Sequence, residues 1–274
     1  MYLVTGAKGQ LGTELSNILS DAIFTDTDEL DITNDIQVKK FIDRYNPSAI
    51  INCAAYTNVD KAEDNRDIAK QINSVGPKIL AKTGRNLIHI STDYVFDGNK
   101  NRPYLVSDLP KPLSVYGMTK LNGEKAALLY GQNVVIIRTA WLYSPYGNNF
   151  VKTMRRLGAE RESIGVVYDQ VGSPTYAADL AAAIVKILPQ MNITNRGVYH
   201  FSNAGVCSWY DFARKIMELS GLQCNVRPII SEEYPTRAMR PFYSVLDKSK
   251  IEHVFNVELR HWEDALKRCI ERIK

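Results

Sequence analysis

The feature that most constrains this chain is a rhythm. Short runs rich in Val, Ile and Leu recur between longer amphipathic stretches. YLVTG, AIFTD, AIINCAA, NLIHIST and NVVIIRTA are nearly continuous in apolar residues, as strands are when both faces of a sheet are covered. Between them lie GQLGTELSNIL, DIQVKKFIDRY and KAEDNRDIAKQINSVGPKILAKT, all with helical spacing. This alternation predicts an α/β fold, a Rossmann-type doubly wound parallel sheet with helices on both faces. After about Tyr143 the rhythm changes. SPYGNNF, DQVGSPTY and RPIISEEYPTRAMRP are rich in Gly, Pro, Asn and aromatics, separated by short helices such as SWYDFARKIMEL, and HWEDALKRCIERI reads as a last amphipathic helix. The expected division is residues 1–143 for the sheet and 144–274 for a smaller C-terminal lobe, with the chain free to cross back to the sheet.

Of the 274 residues, 45% are apolar and 23% charged, ordinary for a globular protein. The net charge of +4 comes from 34 basic against 30 acidic residues scattered in both signs, which gives no footprint for nucleic acid. No run approaches the roughly 18 apolar residues of a membrane span, and MYLVTG lacks the basic and apolar regions of a signal peptide. The four cysteines form no C-x-x-C pair, and Cys53 reads as a small buried hydrophobe. The four histidines share no ligand-like spacing. A reduced, cytoplasmic protein without a metal site is expected.

The first strand ends in TGAKGQLG, which places Gly6, Gly9 and Gly12 as G-x-x-G-x-x-G. Glycines permit a tight strand-to-helix turn and let backbone N–H groups, with the helix N-terminus, approach a pyrophosphate. Twenty residues after Gly6 comes Asp26, placed to bind an adenosine ribose. Residues 1–143 are therefore expected to bind a nicotinamide dinucleotide. FTDTDELD offers competing acids, Asp31 among them, and Lys8 is placed to meet a 2′-phosphate, so NADH and NADPH both stay open.

VYGMTKLNGEK places Tyr116 four residues before Lys120. Alone, that pair is no more than an exposed i,i+4 contact. Beside a cofactor loop it has another use. A free phenol has a pKa of about 10, and a lysine one turn away is expected to lower it while hydrogen-bonding a nicotinamide ribose. Thr92, at the end of NLIHIST, is placed to donate a second hydrogen bond to a substrate carbonyl, beyond the carboxyl ends of the strands. Gly117 is expected to make room for cofactor or substrate, at about 1 kcal/mol of helix propensity.

TGAKGQLG, AAYTNVDKAE, ISTDYVFDG, YGMTKLNGE, RTAWLYSPYGNNF, DQVGSPTY, YHFSN and RPFYSVLD follow one another in an order that resembles the dTDP-4-dehydrorhamnose reductase family of the extended short-chain dehydrogenase/reductases. The resemblance implies NAD(P)H-dependent reduction of the 4-keto group of dTDP-4-dehydro-L-rhamnose, giving dTDP-L-rhamnose for cell-surface polysaccharide. It implies Tyr116 as proton donor and Lys120 as ribose ligand. Thr92 and Asp93 would contact the sugar, and Trp141 would cover its ring. Gly9, Gln10 and Leu11 would line the pyrophosphate, and Asp26, Asp31 and Ile32 the adenosine. Ala54, Ala55 and Tyr56 would flank the nicotinamide half. Arg240, in MRPFYS, suits a diphosphate through a bidentate contact.

Some family members join as dimers through a divalent metal, using an acid on the first helix and acids after a Gly-x-Pro-Thr segment. Glu14 fits the first position, but the second reads TYAADL, with Ala177 and Ala178, which speaks against such a metal. Monomer and homodimer both remain. Three alternatives stay beside the reductase: a 6-deoxytalose-forming ketoreductase, a sugar-nucleotide dehydratase or epimerase, and a non-catalytic regulatory binding subunit. Dehydratases carry an Asp-Glu pair after the Thr, whereas this chain has Asp93-Tyr94.

Overall fold

The computed structural model describes residues 1–273; Lys274 lies outside them. Six strands form one sheet: β1 (Tyr2–Thr5), β2 (Ala22–Thr25), β3 (Ala49–Asn52), β4 (Asn86–Thr92), β5 (Val134–Thr139) and β6 (Gly197–His200). Their order across the sheet is β6-β5-β4-β3-β1-β2, and every pair is parallel. All five apolar runs of the first half are strands. Successive residues serve opposite faces. Leu3, Ile50 and Leu87 enter one core with Val38, Ile42, Leu80 and Ala127. Val4, Ile51 and Ile88 enter the other with Leu11, Leu15, Leu180 and Ile184. A strand buried on both faces has no polar side to show, hence the continuous runs.

Three pieces of the later half return to this sheet. The helices Ala177–Ile187 and Ser249–Phe255 pack on the second of these cores, the latter through Ile251 and Phe255, and β6 pairs with β5. The remainder builds a lobe around Phe212, Ile216, Trp262 and Leu266, with a short parallel pair of strands, Ser163–Val167 and Asn225–Ile229. Among the described residues no helix is long and apolar enough to cross a membrane.

The run KAEDNRDIAKQINSVGPKILAKT is divided into Val59–Asp64, Arg66–Lys70, a π-helical turn over Gln71–Val75, and Gly76–Lys82. Proline explains the π turn, though not the earlier division at Asn65. Pro77 has no N–H to give the carbonyl four residues back, that of Asn73, and a π turn absorbs the misfit. The helix Val115–Tyr130 packs against this irregular turn so closely that a β-carbon at Gly123 would stand 2.1 Å from the Asn73 carbonyl oxygen. Gly123 is there for helix packing.

Candidate active site

The strand order reverses between β1 and β3, and ligands of such sheets lie beyond the carboxyl ends of the strands there. The loops leaving β1 and β3 are in contact. Gly6 has φ +72°, and a β-carbon on it would lie 2.7 Å from the Ala54 nitrogen. Gly12 brings the first helix, Gln10–Ser16, equally near, since a β-carbon there would meet the Gly6 carbonyl oxygen at 2.4 Å. Gly9 caps that helix with no side-chain hydrogen bond, so no side chain claims its first N–H groups. Above this loop opens a cleft of about 1040 Å³.

Gly6, Gly9, Gln10, Leu11, Asp26, Asp31, Ile32, Ala54, Ala55, Thr92, Asp93, Tyr116, Lys120 and Trp141 all line the cleft. Tyr56 and Arg240 do not. Asn73 holds the Tyr56 backbone at both its N–H and its carbonyl, at 2.9 and 3.1 Å, and the Tyr56 hydroxyl accepts from Asn65. Arg240 pairs with Asp60 at 3.1 Å, tying its own segment to the helix Val59–Asp64. Asp26 accepts from the N–H groups of Lys8 and Thr27, at 3.0 and 2.9 Å. The Lys8 ammonium is 2.5 Å from Asp28. Asp31 caps Thr33.

Ser114 starts the helix Val115–Tyr130, its hydroxyl accepting from the Gly117 N–H at 3.1 Å. Tyr116 and Lys120 fall on a buried face of that helix, 9% and 1% exposed. The surface i,i+4 contact is thereby excluded. The expectation that Lys120 lowers the Tyr116 pKa is corrected. Burial dominates and pushes the phenol up to about 12, the nearby Thr92 hydroxyl working against it and Asp93 with it. The Lys120 ammonium is turned to the Ile90 carbonyl at 2.5 Å. Its burial takes its pKa down to about 8, opposed by Glu124 and Cys53.

Thr92 also differs from expectation. Its hydroxyl donates to Asp93 Oδ1 at 2.9 Å, so it must turn from Asp93 before it can serve a ketone oxygen. Asp93 is 2% exposed, its Oδ2 has no hydrogen-bond partner among the described residues, and burial raises its pKa to about 6. Gly117 likewise makes room for something other than a ligand: the Tyr94 carbonyl, 2.1 Å from where its β-carbon would be.

Trp141 has φ +50°, rare for a bulky residue. Its indole stacks on Trp209 at 3.6 Å and 11°, and Gly172 leaves space beside it. Trp209 lines the cleft and escaped the sequence reading, although the Ser208/Asp211 capping box that starts its helix was visible in SWYDF. Asn149, another lining residue missed, donates to Gln10 Oε1 at 2.9 Å and fastens the YSPYGNN loop to the glycine loop. Glu14 is 3% exposed and held by Arg272 at 3.1 and 3.0 Å, so that carboxylate is already ion-paired.

A parallel sheet with its switch point at a glycine loop, and a buried Tyr–Lys helix face along one cleft, define a Rossmann-type oxidoreductase of the short-chain dehydrogenase/reductase kind. Within that class the chain belongs to the family described as RmlD substrate binding domain, which it matches over residues 1–274. It is 41% identical to a dTDP-4-dehydrorhamnose reductase of Aggregatibacter actinomycetemcomitans, across 97% of this chain and 96% of that one. A solved dTDP-4-dehydrorhamnose reductase of Clostridium acetobutylicum superposes with a TM-score of 0.95 at 44% identity, over 98% of both chains. A Bacillus anthracis one, solved in complex with NADP, does so with a TM-score of 0.95 at 42% identity, again over 98% of both.

Proposed function

We propose that this chain reduces the 4-keto group of dTDP-4-dehydro-L-rhamnose with NADPH or NADH, giving dTDP-L-rhamnose for cell-surface polysaccharide. The observation that carries the reading is the placement of Tyr116 and Lys120 on one buried helix face of the cleft that begins at the glycine loop. The fit to a dinucleotide rests on Gly6, Gly9 and Gly12 and on the uncapped helix start. When bound, the nicotinamide supplies the hydride. Gln10 and Leu11 would hold the pyrophosphate by their N–H groups, Asp26, Asp31 and Ile32 the adenosine, and Ala54 and Ala55 the nicotinamide half, with Tyr56 fixing their loop.

Tyr116, kept protonated by burial, delivers its proton to the oxygen where negative charge develops. Lys120 binds the ribose. Thr92 and Asp93 orient the sugar, and the Trp141–Trp209 stack walls it. Arg240 meets the diphosphate only by leaving Asp60. Residues 1–143 are then mainly the cofactor half and 144–274 mainly the substrate half of a cytoplasmic monomer or homodimer. The test is incubation with enzymatically generated dTDP-4-dehydro-L-rhamnose and NADPH, followed by product identification. Stoichiometric NADPH oxidation with dTDP-L-rhamnose is expected. A 6-deoxytalose product would reassign the hydride face, and conversion without net NADPH consumption would point to a dehydratase or epimerase instead.

A further inference from the structure

Tyr116, Lys120 and Glu124 recur every four residues on the helix Val115–Tyr130, and all three are buried. A carboxylate one turn from a lysine ordinarily pairs with it, and burial strengthens the attraction. Here it does not. Arg138 on β5 takes both oxygens of Glu124, Nε donating to Oε1 at 2.9 Å and Nη2 to Oε2 at 2.7 Å. The Ser91 hydroxyl adds a bond to Oε1 at 2.5 Å. A guanidinium fork matches a carboxylate better than a point-like ammonium can. The register supports the arrangement, since Arg138 lies opposite Ser91 on β4 and His200 on β6.

We propose that Arg138 is a positioning residue for Lys120: by holding both oxygens of Glu124 it keeps that carboxylate from capturing the ammonium, which stays on the Ile90 carbonyl at the wall of the cleft. This rests on the reading of Lys120 as a cofactor ligand. The other titratable groups around Lys120 are Cys53 after β3 and His89 on β4. Burial holds the first as a neutral thiol and the second as a neutral imidazole, so Glu124 is the charge that decides. Arg138 Nη1 has no hydrogen-bond partner among the described residues, and the guanidinium lies 5.0 Å over the Phe96 ring. The group is thus fixed chiefly by Glu124 and an aromatic face.

The experiment is a fluorescence titration of NADPH, from neutral to alkaline pH, on the full chain and on Arg138→Met, Glu124→Gln, their double variant and Lys120→Met, with melts to verify folding. Arg138→Met should weaken NADPH binding about tenfold and move the alkaline limb upward, because an unopposed carboxylate stabilises the lysine charge. Glu124→Gln should move that limb downward, because it removes the charge that offsets burial. The double variant should recover affinity to within about threefold of the parent. Equal weakening in Arg138→Met and the double variant would leave Arg138 a merely structural role and overturn the inference. Should Arg138→Met fail to fold, Glu124→Gln decides: a limb unmoved or shifted upward overturns it. Lys120→Met binding NADPH as tightly as the parent would overturn the reading of Lys120 and this inference with it. Loss in Lys120→Met with none in Arg138→Met overturns the inference alone.

Discussion

Gly117 approaches Tyr94 so closely that a β-carbon on it would lie 2.1 Å from the Tyr94 carbonyl oxygen. That contact seats the Tyr116 helix on the short turn Asp93–Val95, which follows Thr92. Gly117→Ala should therefore force helix and turn apart, costing about 1–3 kcal/mol as overpacked sites do, and lower turnover by displacing Thr92 from Tyr116. A melting temperature equal to the parent's would show that the turn yields freely.

Removing only the phenol oxygen isolates the proton transfer. Tyr116→Phe keeps the ring, including its edge contact with Tyr94 at 5.5 Å. Turnover should fall by about 10²–10⁴, with NADPH affinity nearly unchanged. Turnover within threefold of the parent would sink the catalytic assignment.

Asp93 gives a pH test with a definite sign. Its carboxyl is raised by burial from 3.8 to about 6, so the folded state holds the proton more firmly than the unfolded chain. The stability this contributes is complete at a pH below the unfolded value and is lost as pH rises through the folded one, at about 1.4 kcal/mol for each tenfold difference in proton affinity between the two states. The parent should thus lose stability relative to Asp93→Asn as pH climbs from acid to neutral. Melts of both proteins across that range measure the gap, and a constant gap would mean that Asp93 is not held neutral by burial.

Cofactor choice should respond to Asp28, a residue outside the lining of the cleft. Lys8, the base nearest a 2′-phosphate in the sequence reading, is engaged by Asp28, while Asp26 remains for a free ribose hydroxyl. The parent is expected to bind NADPH and NADH within about tenfold of each other. Asp28→Ala should release Lys8 and shift the ratio toward NADPH by about threefold, the scale of a surface charge. Titration of both cofactors checks this, and an unmoved ratio would leave Lys8 without a part in recognition.

The strands and the glycine loop were legible because each depends on neighbours in sequence: Ile50 and Ile51 announce a strand buried on both faces, and Gly6 announces a turn. The role of Gly117 and Gly123 was not. Both are set by backbone from elsewhere in the chain, Tyr94 and Asn73, and no local pattern records what a helix will be pressed against. Tyr116 and Lys120 were found as a pair, but the direction in which the phenol's pKa moves was missed, because charge proximity can be imagined from spacing and depth of burial cannot. Trp209 lies 68 positions from Trp141 in the chain, and their stack exists only after folding.

The return of β6 to the edge of the sheet has a consequence for how this molecule can be cut and recombined. A fragment ending near Tyr143 would carry β5 with one side unpaired, a row of free amide and carbonyl groups along a strand whose residues are all buried. Such an edge invites pairing with other chains, so the fragment should aggregate where the full chain does not. A graft that exchanges the lobe around Phe212 and Trp262 between relatives accordingly needs more than one crossover near Tyr143. It must leave the helices Ala177–Ile187 and Ser249–Phe255 and β6 with the parent sheet, so the transferable material is a set of inserted loops and helices rather than a C-terminal half.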